Sequence, residues 1–163
     1  AQHLGPSRDL SDGQAFQGFI EENFSYDILD DLVSETREVS DTTVLTWTHR
    51  YDPNQNKLRT TYPEGNAFAW AWDERDLLLS QARGLGSPDE STFRYAYDGN
   101  RNLTKSTDAE DNNGDGLPED TLRSYDGFDR LKEIRDPVGS VVERRYDPAS
   151  NLVLEKRFGQ RIL

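Results

Sequence analysis

An aromatic residue followed by Asp recurs six times along this chain, and no other feature restricts its fold as strongly. The pairs are Tyr26-Asp27, Tyr51-Asp52, Trp72-Asp73, Tyr97-Asp98, Tyr125-Asp126 and Tyr146-Asp147, spaced by 25, 21, 25, 28 and 21 residues. A Leu stands six positions after the aromatic at Leu32, Leu78, Leu103, Leu131 and Leu152. In the second unit it stands seven positions after, at Leu58, which predicts one extra residue in that turn. Periodicity of roughly 20–50 residues marks repeat architectures, in which each unit is completed by its neighbour.

Each unit reads as a β-hairpin. Residues before the pair alternate with period two: Phe68, Trp70 and Trp72 share one face and alanines the other, and Phe93, Tyr95 and Tyr97 repeat the arrangement, as do Leu45, Trp47, His49 and Tyr51. Turn formers follow the pair, as in Pro53-Asn54, Gly99-Asn100, Gly127 and Pro148-Ala149-Ser150. A second strand starts at the Leu, and several units close with another turn, as in Pro63-Glu64-Gly65 and Asp136-Pro137-Val138-Gly139. About 21 residues accommodate two short strands and two short connections. The expected fold is all-β: consecutive antiparallel hairpins whose Tyr and Leu form ladders across a ribbon. The ribbon has two open edges, so the segment is expected to continue into further repeats or to self-associate.

Composition agrees with a folded chain that has little core. Hydrophobic residues make up 33% and charged residues 31%, yet aromatics reach 10%, which sets the chain apart from disordered sequences. A formal charge of −12 repels phosphate backbones and anionic lipid, so nucleic acid is not an expected partner. No apolar run approaches the ~20 residues of a membrane span. With no Cys, disulfides and thiolate chemistry are excluded. The chain starts at Ala1 without a visible signal peptide, which reads as an excised or processed segment.

The pattern Tyr-Asp-x-x-x-x-Leu with a later Asp-Pro-x-Gly resembles the YD repeat of RHS proteins, toxin-complex C components and teneurins. It covers roughly residues 16–158 and is clearest over 93–139. The resemblance implies a hairpin ribbon, curved into part of a hollow spiral shell that houses a toxin or serves as a cell-surface scaffold. It also implies a secreted or cell-surface location, a bacterial source, and further RHS repeats of the same or neighbouring chains as partners. Carbohydrate binding has been proposed for such repeats. The family often has Gly at the fourth position after Tyr; here the slots hold Asp30, Gln55, Asp76, Arg101, Asp129 and Ser150, of which Arg101 suits left-handed geometry least. Residues 1–43 read as a degenerate repeat or cap and 44–163 as the hairpin array, with an acidic insertion at 108–120. The family's self-cleaving region lies beyond its repeats and has no counterpart after Gly159, so no proteolytic role is carried over.

The pair Asp is a turn residue whose carboxylate accepts backbone N–H bonds. The insertion carries a sharper signal. Asp111, Asn113, Asp115 and Gly116 follow the order D-x-N-x-D-G of calcium loops, similar to dockerin and thrombospondin-type loops, with the Leu117 carbonyl as a further donor. Leu122 stands where an EF-hand has its bidentate Glu, so Glu119 or Asp120 would substitute, with Asp108 in reserve. Two readings stay open: a Ca²⁺ site, or an acidic solvent loop. His3 and His49 lack a second His at metal spacing. Adjacent carboxylates such as Glu21-Glu22 point to opposite faces of a strand, and no phosphate loop or nucleophile elbow is present, so no enzyme activity is expected. Trp47, Trp70, Trp72 and Tyr95 serve either as the packed face of the sheet or as a stacking platform for a sugar. The sequence thus points to a shell or scaffold segment enclosing cargo, with a glycan or cell-surface binding module, calcium-dependent or not, as the alternative.

Overall fold

The computed structural model of the chain describes residues 20–40, 42–109 and 119–159. Twelve strands run through them: β1 (Glu22–Tyr26), β2 (Leu32–Ser40), β3 (Thr43–Tyr51), β4 (Lys57–Thr61), β5 (Ala67–Trp72), β6 (Leu78–Leu85), β7 (Ser91–Tyr97), β8 (Leu103–Asp108), β9 (Glu119–Tyr125), β10 (Leu131–Arg135), β11 (Val141–Tyr146) and β12 (Leu152–Phe158). The strands hydrogen-bond in chain order, β1 to β12. The chain divides into two units, one of Ala1–Ala69 with Gly84–Asp89, the other of Trp70–Arg83 with Glu90–Leu163. The protein is all-β, and the strands pair antiparallel within each unit.

All six Asp pairs form one kind of turn. The Asp carbonyl accepts from the N–H three residues on, and the Asp N–H donates to the carbonyl four residues on, as in Asp98 with Arg101 (3.2 Å) and Asn102 (3.0 Å). Such a three-residue loop needs a left-handed residue before the returning strand. Asp30, Gln55, Asp76, Arg101, Asp129 and Ser150 supply it, with φ between 58° and 71°. Arg101 adopts φ 71° despite its side chain. The same loop closes two connections between hairpins, at Tyr62–Asn66 and Asp136–Ser140, where Gly65 (φ 91°) and Gly139 (φ 84°) take the left-handed slot. Residues Glu22–Ser40 form hairpin β1–β2 around Asp27 with this turn.

One expectation is corrected. The second unit has no extra residue: Lys57, not Leu58, pairs with Tyr51, just as Leu32 pairs with Tyr26 and Leu103 with Tyr97. Turn geometry fixes the register, since Gln55 takes the left-handed slot at the usual place. Lys57 fills the Leu position with its ammonium 5.5 Å from the Tyr51 ring centroid, a cation–π contact that stands in for an apolar one.

Alternation follows the sequence pattern. Along β3, Leu45, Trp47, His49 and Tyr51 are half-buried while Thr46, Thr48 and Arg50 are exposed. Among the described residues Ala67 is the one buried hydrophobic side chain, and no large side chain is fully enclosed. Packing is therefore carried by cross-strand rows rather than by a central core.

Candidate functional site

The repeated Tyr does more than fill a row. Tyr51 Oη donates to the Leu32 carbonyl (3.1 Å), Tyr97 to Leu78 (3.1 Å), Tyr125 to Leu103 (3.0 Å) and Tyr146 to Leu131 (2.9 Å). Each acceptor belongs to the hairpin before, at its recurring Leu. The Tyr and the Leu of the repeat are thus two halves of one joint between successive units. In the third unit Trp72 keeps the ring without the hydroxyl.

The pair Asp organises its own turn. Its Oδ1 accepts from the N–H groups two and four residues on: Leu29 and Asp31 for Asp27, Asn54 and Asn56 for Asp52, Arg75 and Leu77 for Asp73, Asn100 and Asn102 for Asp98, Phe128 and Arg130 for Asp126. Asp147 accepts likewise from Asn151 (2.8 Å). At Asp98, Asp126 and Asp147 such bonds favour the ionised form. The side-chain amide of Asn102 holds the Asp98 carboxyl below its ordinary range, Arg130 does the same for Asp126, and Asn151 for Asp147. At Asp73 desolvation pushes upward, but the N–H bonds from Leu77 and Arg75 and the Arg75 guanidinium outweigh it, and its pKa is lowered.

In the unit of Trp70–Arg83 and Glu90–Leu163 these turns are stitched to one another. Arg75 binds Asp73 and reaches the Asp98 carbonyl (2.8 Å). Asn100 and Asn102 both donate to Asp129 Oδ1 of the next turn (2.8 Å each). Arg130, paired with Asp126 (2.7 Å), donates to the Asp147 carbonyl (3.0 Å) and covers the Tyr146 ring at 4.8 Å. Four consecutive turns are linked in this way along one side of the hairpins.

The candidate stacking residues are placed as follows. Trp47 is half-buried on β3 of the first unit, while Trp70, Trp72 and Tyr95 are half-buried in the second. Tyr95 lines a groove of about 450 Å³ with Phe93, Ser106, Thr107, Asp108, Glu119, Thr121 and Pro137. The register explains its composition: Tyr95 lies opposite Ser106 and Ser106 opposite Thr121, while Asp108 lies opposite Glu119. Two rings and two carboxylates thus share one concavity with Ser106 and Thr121, whereas the Thr107 hydroxyl donates to Asp120.

The groove adjoins the acidic insertion. Asp111, Asn113, Asp115 and Leu117 lie outside the described residues, whereas Glu119 and Asp120 open β9. Glu119 is 5% exposed. The Asp120 carboxylate is held by Lys105 (2.6 Å) and by the Thr107 hydroxyl (2.7 Å), which keep its pKa low. It therefore has a cation already. His3 also lies outside the described residues. His49 Nδ1 is 2.9 Å from the Thr60 hydroxyl, and its buried Nε2 has no hydrogen-bond partner. Desolvation and the nearby Lys57 lower its pKa, while Glu35 opposes them weakly.

The profile described as RHS Repeat matches residues 125–160, the last Tyr-Asp units. No curated protein matches the sequence. Among solved structures, the chain is similar to the crystal structure of TcdB2-TccC3 without its hypervariable C-terminal region, with 15% identity and a TM-score of 0.61. That match covers 82% of this chain and 7% of the other, so the chain spans well under a tenth of its length. The Photorhabdus luminescens Tc holotoxin pore also matches, at 16% identity over 84% of this chain and 10% of the other, with a TM-score of 0.27. At such identities the likeness is one of fold, and the first structure carries it.

Proposed function

The chain is an RHS/YD-repeat protein, and we propose that it forms a stretch of wall in a larger shell that encloses a toxin cargo or stands as a cell-surface scaffold in a bacterium. The observation that carries this reading is the Tyr-to-Leu joint, made four times with the same pair of groups. A joint of that kind extends a wall by one hairpin at a time and assigns no chemistry to any unit. The thin core supports it too, since a wall is completed by its neighbours and by whatever lies against its face. The test is electron cryo-microscopy of the longer protein that carries this segment, with protease added to the same sample. The reading expects a hollow particle with these strands in its wall and a guest that survives proteolysis until the wall is breached. A solid globule, or a guest digested as fast as free polypeptide, defeats it.

A second reading is favoured by the groove. The rings of Phe93 and Tyr95, with the hydroxyls of Ser106 and Thr121 and the carboxylates of Asp108 and Glu119, suit a sugar ring that stacks on one side and hydrogen-bonds at its edge. Glycan-array binding that disappears in Tyr95→Ala supports it; equal binding by Tyr95→Ala removes the groove from the account. We also propose that Ca²⁺ is bound through Asp111, Asn113, Asp115 and the Leu117 carbonyl, on the strength of the D-x-N-x-D-G order, with Glu119 ahead of Asp120 as the additional ligand because Lys105 neutralises Asp120.

A further inference from the structure

The groove beside Tyr95 has an internal order that the strand register fixes. All its lining residues belong to the unit of Trp70–Arg83 and Glu90–Leu163. Tyr95, Ser106 and Thr121 stand in one row across β7, β8 and β9. Two residues along the strands, Phe93, Asp108 and Glu119 form the next row. Two residues of antiparallel strand rise about 6.8 Å, which is the spacing of the rows. Each row therefore starts with an aromatic ring on β7. Hydroxyls follow the ring in the first row, and carboxylates in the second.

Charge runs along the groove in one direction. Beside the hydroxyl row, Arg123 donates to Ser106 Oγ (3.0 Å), which leaves the Ser106 hydroxyl hydrogen for another acceptor. In the carboxylate row, Asp108 and Glu119 are directly opposed, with Cα atoms ~4.5–5.5 Å apart. Like charges so placed destabilise a sheet, and an ammonium group bound against both relieves the repulsion. Glu119 is only 5% exposed, so that interaction is poorly screened by water. The ring of the same row takes cations as well: the Arg83 guanidinium lies over Phe93 at 4.9 Å.

We propose that the groove takes an amino sugar. The pyranose face lies on Tyr95, its hydroxyls meet Ser106 and Thr121, and its ammonium group sits against Asp108 and Glu119 beside Phe93. A neutral sugar uses the first row alone, and a lysine side chain the second alone. A ligand that carries hydroxyls and an ammonium group on one ring uses both. This inference rests on the glycan reading of the groove and adds the charge of the sugar.

Titration calorimetry of the whole chain with three β-1,4-linked tetrasaccharides tests it, one each of glucosamine, N-acetylglucosamine and glucose. They share a backbone and differ in one substituent. The titrations are run at about pH 6, where ordinary amines are protonated, and with chelator, because Glu119 is shared with the proposed Ca²⁺ loop. Tetralysine is the further probe, since a chain of net charge −12 attracts any oligocation. The glucosamine oligomer is expected to bind about tenfold more tightly than the other sugars, because hydrogen bonds between charged groups are the stronger kind. It is also expected to bind more tightly than tetralysine. Asp108 is exposed and Asn has its shape, so Asp108→Asn removes the charge without disturbing the fold and is expected to shrink the tenfold preference. Tyr95→Ala is expected to abolish binding of the glucosamine oligomer. Equal binding of all three sugars, lost in Tyr95→Ala, overturns this inference and leaves the glycan reading standing. Absence of binding by any sugar overturns both. Tetralysine binding as tightly as the glucosamine oligomer overturns the assignment to a sugar.

Discussion

The phenolic oxygen of Tyr125 donates to the main-chain carbonyl of Leu103 at 3.0 Å, 22 residues back and one hairpin away. Both residues are defining positions of the repeat, and the bond explains why they recur together. An aromatic ring alone would fill the row; the hydroxyl specifies which neighbour it belongs to. Tyr125→Phe keeps the ring and removes one part-buried hydrogen bond, which costs about 0.5–1.5 kcal/mol. Tyr97→Phe and Tyr146→Phe are expected to fall in the same range, since each breaks an equivalent bond. Urea denaturation followed by circular dichroism measures this, and a set of three neutral substitutions would show that the hydroxyls contribute nothing to the joint.

The left-handed slot gives substitutions of opposite sign. Arg101 holds φ 71° and has no steric reason to prefer it, so Arg101→Gly is expected to stabilise by roughly 0.5–1 kcal/mol after the greater freedom of unfolded Gly is counted. Asp129 occupies the same slot one turn on, but its Oδ1 accepts from both Asn100 and Asn102. Asp129→Gly relieves φ and loses those two bonds, so it is expected to destabilise. Thermal melts of the two variants beside the parent chain check the contrast.

His49 sets a pH dependence in the first unit. Its folded pKa is depressed, chiefly by desolvation, so the unfolded chain binds the proton more readily. Stability from this group is complete above the unfolded value near 6.5 and is lost as pH falls below it, levelling off once pH passes the folded value. His49→Gln retains a partner for Thr60 without titrating and is expected to flatten the stability profile between about pH 7 and 5. The turn carboxylates act lower. Asp73, Asp98, Asp126 and Asp147 have depressed pKa values, so their contribution is present above the unfolded value of 3.8 and lost as pH falls through the folded ones. A profile of His49→Gln parallel to that of the parent contradicts the assignment.

Calcium binding by the insertion has a specific variant signature. Titration calorimetry on chelator-treated protein is expected to show binding in the micromolar-to-millimolar range, abolished by Asp111→Ala or Asp115→Ala. Asp120→Asn is expected to leave it unchanged, because that carboxylate serves Lys105 and Thr107. Absence of heat together with an unchanged melting temperature removes the metal from the account.

Much of the fold was legible in the sequence because the repeat is local. Alternation named the strand faces, and the glycine slot of the resembled repeat, counted from each aromatic of the pair, named the six positions that adopt positive φ. Leu58 does not take the slot in the Tyr51 repeat because turn length rather than residue type sets the register, and Lys57 shows that the slot accepts an aliphatic stem with a charge over the ring. The stitching of turns by Arg75, Asn100, Asn102 and Arg130 was not legible. Those partners lie 17 to 29 residues apart and become neighbours only after the hairpins are laid side by side. The groove beside Tyr95 was hidden for the same reason: Asp108 and Glu119 flank an insertion in sequence and face each other across β8 and β9.

The central claim is that each hairpin is completed by the next through the Tyr and Leu positions. Amide hydrogen exchange, resolved by strand and compared between the parent chain and Tyr125→Phe, tests it most directly. The account predicts faster exchange in β8 and β9, on either side of the broken joint, with β3 and β4 unaffected. Equal acceleration in every strand, or none at β8 and β9, would contradict it.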